Sequence, residues 1–543
     1  MRHYDQLYLN GEIYTVDDRC PTAEALAVKG GRIAAIGSLE ACRAVLGKNF
    51  ETVNLESGVL LPGFIDTHLH PIIMIFFALN ISLSEVHSVA EMQAKVREAA
   101  AEKTRSEWIL GFQFDDQALV ERRPVTRHDL DAACASRPVA LVTTDGHKVI
   151  VNTRAIEKAG ITEKTADPPG GKILREDNGY PTGVFQEQAL SLIMDHAPMP
   201  EMEEIQEAAS SVFDSLAASG ITSIGAVLQT GDEGPAGKNG AFDLPLMEML
   251  LDKIPLNIYG LIIARDLEQV EAARQTGLHR AATDEFSPGR KIGALKIFCD
   301  GTLQAGTAYL AQPYTSQPGN SGFMIHEPEE LYERMVAAHL AGLQIAIHAI
   351  GDAANQKCVE LYARLLESYP RPDHRHRLEH ASVLNAGLIA DLARLGLVVS
   401  SQPFFIQGEK HWLARQIGPE RCQWTYPYRS LVEAGVKLAG ASDAPVCSPD
   451  VLQALQCFVT REGFVTEQSL SAAQAVRAYT IDAAYAQFEE QIKGSLSVGK
   501  RADLVVLSAN PVRVEAAQIA EIRVKRTICG GITIFSETDS RSA

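Results

Sequence analysis

Short apolar runs recur along the chain in two rhythms. From residue 1 to 58 they are β-like pieces broken by tight turns, QLYLNGEIYTV, ALAVKGGRIAAIG and FETVNLESGVLL, with Asn-Gly and Gly-Gly where hairpins turn. Residues 491–543 return to that style in ADLVVLS and RVKRTICGGITIF. Two β-rich ends of like character predict one small composite β-sandwich, formed by 1–58 and 491–543, beside a separate domain spanning 59–490.

The rhythm changes after about residue 205. Apolar or β-branched runs alternate with amphipathic stretches: ITSIGAV, LNIYGLI, ALKIFCDG, QIAIHAIGD, RLEHAS, LVVSSQP and KLAGASDAP, with helices predicted between them at 327–341, 352–368 and 383–394. Strand–helix alternation implies parallel strands with helical crossovers. Counting GVLLPGFIDTHLH as the first gives eight βα units, the number that closes a (β/α)8 TIM barrel. An open doubly wound sheet is the rival, but its glycine-rich phosphate loop is missing: KGGRIAAIG does not have GxGxxG spacing.

A large insertion, about 71–205, separates the first two barrel strands. It begins with the apolar run PIIMIFFALNISL, followed by a predicted helix near 88–103 with Ser88 and Glu91 as a capping box. WILGFQFDD, PVALVTTDGHKVIVNT and the loop-rich DPPGGKILREDNGYPTGVF complete it. An insertion after a barrel strand emerges at the C-terminal face, where barrel active sites lie, so it is expected to wall and cover a substrate pocket.

Composition narrows the partners. The 543 residues are 46% hydrophobic and 22% charged, with a net charge of −18 and no Lys/Arg cluster. That balance argues against nucleic acid or an anionic membrane. Nine scattered cysteines without a CxxC pair, the lack of a secretory leader and the lack of a run of about 20 apolar residues lead to the expectation of a cytoplasmic protein.

Residues i and i+2 of a strand share a face, which places Asp66, His68 and His70 together at a strand's C-terminal end. Two imidazoles so placed can chelate one metal, although a pair of hydrogen-bonded core histidines is the plainer account. Later strand ends add Lys296, His348, His380 and Asp443, each from a different strand, and the joint pattern favours metal. Lys296 has two readings: an amine paired with Asp300 on the same strand face, or a lysine carboxylated by CO2 that bridges two metals. Spacing does not choose between them. Asp145 and His147 could contact substrate or form an Asx-type turn. Glu187 is a pocket candidate whose plainer reading is a solvated charge, and Gln402 faces the site if the register holds.

With these residues in view, the chain resembles the amidohydrolase superfamily. GGKILREDNGYPTGVFQEQA, LKIFCDGTLQAGTA, IHAIGDAA, RLEHA and GSLSVGKRADLVVL are similar to its family-3 branch, which includes N-substituted formamide deformylases and YtcJ-like hydrolases. The resemblance covers nearly the whole chain and implies a distorted barrel, a composite β-sandwich and a hydrolytic site holding one or two zinc ions, other divalent metals being possible. It further implies that His68, His70 and Asp443 hold the first metal, that carboxylated Lys296 bridges, and that His348 and His380 hold the second. One departure is Gly306, in QAGTA, where relatives often carry a basic residue as in GSRTA.

The implied reaction is hydrolysis of a C–N bond in a small amide, formamide or cyclic amide. Asp443 takes a proton from water and later gives it to the leaving amine, unless it merely caps the following segment. Alternatives are hydrolysis of an ester, lactone or organophosphate bond, an isomerisation at the same site, or a non-catalytic binding protein. A homodimer is compatible with the fold.

Overall fold

The computed structural model describes residues 5–101, 107–234, 237–280 and 286–537. Its centre is a sheet of eight parallel strands in chain order. They are β1 (Phe64–Leu69), β2 (Ile221–Gln229), β3 (Asn257–Ile263), β4 (Arg290–Phe298), β5 (Gln344–Ala349), β6 (Arg377–His380), β7 (Val398–Ser401) and β8 (Lys437–Gly440). Each coincides with one of the eight runs singled out in the sequence. Nearly every residue in these strands is buried, as expected for parallel strands covered on both faces.

The barrel is distorted where β8 returns to β1. Near the C-terminal end the seam is laced by Asp443 N–H to His68 C=O (2.8 Å) and His70 N–H to Ala444 C=O (2.8 Å), with Thr67 Oγ1 donating to Gly440 C=O at 2.9 Å. Asp66 accepts from the N–H groups of His68 (3.2 Å) and Ser442 (3.1 Å). Lower down, Ile65 N–H pairs with Tyr479 C=O at 2.8 Å instead of with β8. Asp66 Oδ1 thus serves the seam, while Oδ2 is buried without a hydrogen-bond partner.

The run GVLLPGFIDTHLH is two strands, not one. Val59–Pro62 pairs antiparallel with Leu504–Leu507 in a six-stranded sheet made from both ends of the chain, and only Phe64–Leu69 enters the barrel. Gly63 is the break: a Cβ there would lie 2.3 Å from Thr222 Cγ2, and its N–H is taken by Asp503 C=O at 2.8 Å. A second, four-stranded sheet uses Asp5–Leu9, Ala25–Lys29, Arg32–Gly37 and Phe50–Asn54.

The helices follow local chemistry. Asn385 caps Ala386–Leu395 by accepting from Leu388 N–H at 2.9 Å, so this helix starts three residues later than 383–394 suggests. Pro328–Leu340 and Asp352–Ser368 fall where expected. In the insertion, Val89–Ala101 begins as predicted; residues 102–103 lie outside the described segments. Glu91 N–H donates to Ser88 Oγ (3.2 Å), but the Glu91 carboxylate reaches one residue further back, to His87 N–H at 2.7 Å.

The insertion builds its own six-stranded sheet, in the order Gly171–Arg175, Pro181–Glu187, Lys148–Val151, Val139–Thr143, Ile109–Phe114 and Ile81–Ser82. The stretch expected to be loop-rich is in fact a hairpin, Gly171–Arg175 with Pro181–Glu187. Its turn closes through Glu176 N–H to Tyr180 C=O at 2.9 Å, with Gly179 at φ 85. Among the described residues no helix is long and apolar enough to cross a membrane.

Candidate metal centre

The C-terminal ends of five barrel strands meet at one mouth. His68 lies in β1 and His70 just after it, Lys296 in β4, His348 in β5, His380 at the end of β6 and Asp443 three residues past β8. Asp443 Oδ1 stands 3.3 Å from His68 Nε2 and 3.1 Å from His70 Nε2. Donor atoms of His68, His380 and Asp443 all lie within 4.8 Å of one another. The His348 and His380 rings are 4.5 Å apart.

Two of these residues need unusual backbone. His380 has φ 69, and Ala381 N–H donates to Glu379 C=O at 2.9 Å, closing a γ-turn about the histidine. Asp443 has φ 58. Non-glycine residues in the left-handed region cost free energy, and such outliers cluster at functional sites. The γ-turn re-aims His380 so that it and Glu379, neighbours in sequence, both serve this mouth.

Hydrogen bonds decide which ring nitrogens remain free. His68 Nδ1 is 2.6 Å from Glu379 Oε2, leaving Nε2. His380 Nδ1 donates to Gln402 Oε1 at 2.8 Å, again leaving Nε2. His348 is the reverse: Nε2 donates to Gly301 C=O at 3.1 Å, leaving Nδ1. A ligating histidine characteristically spends its second nitrogen in this way, which fixes ring and tautomer.

The electrostatics suit a cation. Lys296 Nζ is fully buried with no hydrogen-bond partner, so the pairing with Asp300, one of the two readings of the sequence, is not formed. Burial, only partly offset by the charges of Glu379 and Asp443, lowers its pKa to about 8. Burial, then neighbouring cations including Lys296, lowers the basicity of His70, His348 and His380, His380 falling to about 3. Although burial opposes its ionisation, the imidazoles of His68 and His70 hold the Asp443 carboxyl well below its ordinary range. Asp443 Oδ1, buried between two imidazoles, makes no hydrogen bond of good geometry. At His68 burial opposes a charge, but the Glu379 and Asp443 carboxylates outweigh it and raise the imidazole. Three weakly basic imidazoles, this fourth one and an ionised carboxylate set N and O donors around a single point and fit a divalent ion such as zinc.

A cavity of about 670 Å3 opens over this mouth and is lined by His68, His70, His348, His380 and Asp443. The helix Pro71–Ala78 contributes Ile72, Ile73, Phe76 and Phe77 to its wall, and Phe77 stacks on Phe112 with ring centroids 4.0 Å apart. The run that opens the insertion thus both packs and lines the pocket.

The remaining candidates divide. Asp145 and His147 line the cavity. Asp145 also accepts from the Thr143 and Thr302 hydroxyls and from His147 N–H (3.3 Å), so the Asx-type turn and the pocket position coexist. Glu187, Asp300 and Gln402 do not line it. Glu187 is not solvated: at 7% exposure it sits behind His147, 2.7 Å from Nδ1, and accepts from the Thr307 hydroxyl. Asp300 is fully buried and caps three backbone N–H groups, of Tyr309 (2.8 Å), Ile350 (3.0 Å) and Gly351 (2.9 Å), which leaves nothing for a substrate. Gln402 is fully buried and holds His380. Gly306, at φ 73, does not line the cavity.

Arg377 and Glu379 were not foreseen from sequence. Both are fully buried inside the barrel, paired at 2.7 and 2.9 Å. The available signal was RLEH itself, a predicted buried strand with three ionisable residues in four.

Residues 51–535 match the sequence pattern of the Amidohydrolase family. YtcJ of Bacillus subtilis is 28% identical over 546 residues, covering 98% of this chain and 99% of its own. The N-substituted formamide deformylase of Arthrobacter pascens is 26% identical, covering 99% of each. Among solved structures, an uncharacterized metal-dependent hydrolase from Pyrococcus horikoshii superposes with a TM-score of 0.72 at 24% identity, covering 94% of this chain and 99% of that one. With residues 51–535 matching its pattern, and with the barrel and the donors at its mouth, the chain belongs to the amidohydrolase family.

Proposed function

We propose that the chain hydrolyses an amide-type C–N bond, in a formamide or cyclic amide carrying an apolar substituent, using Asp443 as the proton carrier and a zinc centre of one or two ions. The observation that carries this reading is the convergence of His68, His380 and Asp443 within 4.8 Å at the floor of an apolar cavity. The formamide deformylase among the relatives supports the bond type.

His68, His70, His348, His380 and Asp443 would hold the metal, with Lys296 joining as a carbamate after its neutral amine adds CO2 and releases a proton. The bound metal lowers the pKa of water towards neutrality and polarises a carbonyl. Asp443 Oδ1 is the base that receives the water's proton and passes it to the nitrogen of the departing amine. Phe76, Phe77 and Phe112 receive the apolar group, removing its surface from water. His147 stands in the cavity wall to donate to a substrate oxygen or nitrogen.

The test is a panel of N-alkyl and N-aryl formamides, acetamides and cyclic amides presented to zinc-loaded protein. Release of amine from formamides with large apolar substituents is the expected result. Turnover confined to esters or lactones would overturn the bond assignment.

A further inference from the structure

We infer that Glu379, clamped by Arg377, is the positioning residue that makes His68 a metal ligand. The inference rests on the metal centre proposed above and extends it one layer outward.

Glu379 Oε2 is 2.6 Å from His68 Nδ1. The same carboxylate accepts twice from Arg377, Nε to Oε1 at 2.7 Å and Nη2 to Oε2 at 2.9 Å. Arg377 Nη2 also donates to the backbone C=O of Thr67, the residue before His68, at 3.0 Å. Side chains of His68, Arg377 and Glu379 are each no more than 1% exposed. One strand, β6, therefore grips β1 at both the main chain and the ring of its first histidine.

Three consequences follow from this geometry. An ionised carboxylate at Nδ1 requires the proton there, so the Nε2 lone pair faces Asp443 and the cavity. The guanidinium fixes the carboxylate through two parallel bonds, so the ring cannot turn without breaking charge-assisted contacts. A negative charge behind the imidazole makes Nε2 a stronger donor to a cation. Among the other proposed ligands, His380 and His348 lack this feature: His380 is held by the neutral Gln402 amide and His348 by the Gly301 carbonyl. A carboxylate needed only to neutralise Arg377 would have no reason to sit 2.6 Å from the ring.

The experiment is zinc competition against a chromophoric chelator of known affinity, comparing wild type with Glu379→Gln, each first checked for folding by circular dichroism. Glutamine can still accept from Nδ1 but carries no charge. Zinc affinity of the folded variant is expected to fall roughly 10- to 100-fold. Equal affinity in the two proteins would assign Glu379 to Arg377 alone and overturn the inference. A wild type that takes up no zinc would instead remove the metal centre on which it rests. Should the variant fail to fold, wild-type crystals soaked in zinc give the answer: metal on His68 Nε2 with the Glu379 contact kept is expected, and metal on Nδ1 overturns the assignment.

Discussion

His147 Nδ1 lies 2.7 Å from Glu187 Oε2, tying a ring in the cavity wall to a buried carboxylate on the neighbouring strand of the insertion sheet. Glu187 adopts φ 52 to make this contact, and its other oxygen is taken by the Thr307 hydroxyl on the barrel side. Burial opposes a charge on His147, but the Glu187 carboxylate outweighs it and raises the imidazole to about 9. A cation-bearing donor thus faces the site at neutral pH. Glu187→Gln should lower turnover about 100-fold, the scale of a positioned proton donor, while leaving zinc content unchanged. Steady-state kinetics beside metal analysis checks this. Turnover within twofold of wild type would reduce the pair to a structural tie.

Asp443→Asn keeps an oxygen near His68 and His70 but cannot carry a proton. Turnover should fall by roughly 1,000-fold with at least one equivalent of zinc retained. Metal content by atomic emission, measured on the same sample as activity, separates loss of chemistry from loss of metal.

The Lys296 amine is a cost to the fold. It is buried without a hydrogen-bond partner, over the Phe298 ring at 4.4 Å, and its pKa drops from 10.5 to about 8 on folding. The unfolded chain therefore binds the proton more tightly, and stability is lost as pH falls from about 10.5 towards 8. Below that the penalty is constant at roughly 3 kcal/mol. Lys296→Met in metal-free protein should recover part of it, raising the melting temperature at pH 7, while zinc uptake falls. A lower melting temperature for the metal-free variant would show that contacts of the amine, its approach to the Phe298 ring among them, outweigh the cost of burying it.

On the opposite side of the barrel from the chemistry, three histidines form a buried chain. His376 Nδ1 accepts from Ile345 N–H (3.0 Å), its Nε2 pairs with His339 Nδ1 (2.8 Å), and His339 Nε2 meets Tyr369 C=O at 2.9 Å. His374 Nδ1 accepts from His376 N–H (2.9 Å) and its Nε2 meets Leu395 C=O at 2.9 Å. Every ring nitrogen is used by the neutral form. Burial first, then mutual repulsion, lowers the pKa of His376 far below 6.5. The unfolded chain takes up the proton near pH 6.5 and the folded one does not, so stability is full above that pH and declines below it. Each such histidine contributes up to about 1.4 kcal/mol per pH unit. Chemical denaturation between pH 7.5 and 5.5 should show a shallower decline for His376→Gln than for wild type.

The barrel was legible because its strands are nearly wholly apolar and end in polar residues at matching positions; Ile345, Ile347 and His348 illustrate the pattern. His68, His70, His380 and Asp443 could be picked out because imidazoles at the tips of buried strands have few structural uses. Glu379 was hidden by its neighbour: alternation assigns adjacent strand residues to opposite faces, and only the γ-turn at His380 lets both serve one mouth. Glu187 looked solvated because its partners, His147 and Thr307, are distant in sequence. The joint at Gly63 was masked by an unbroken apolar run, whose two halves differ only in which strands they meet.

That joint has a bearing on synthesis. As the polypeptide leaves the ribosome, Val59–Pro62 has one flank with no neighbour, and Leu504–Leu507, which takes that place, emerges several hundred residues later. The first histidine pair hangs directly downstream of this half-supported ribbon. Trimming the C-terminus would therefore not remove an idle tail; it would take away the brace under β1 and disarm the site from the far side of the molecule.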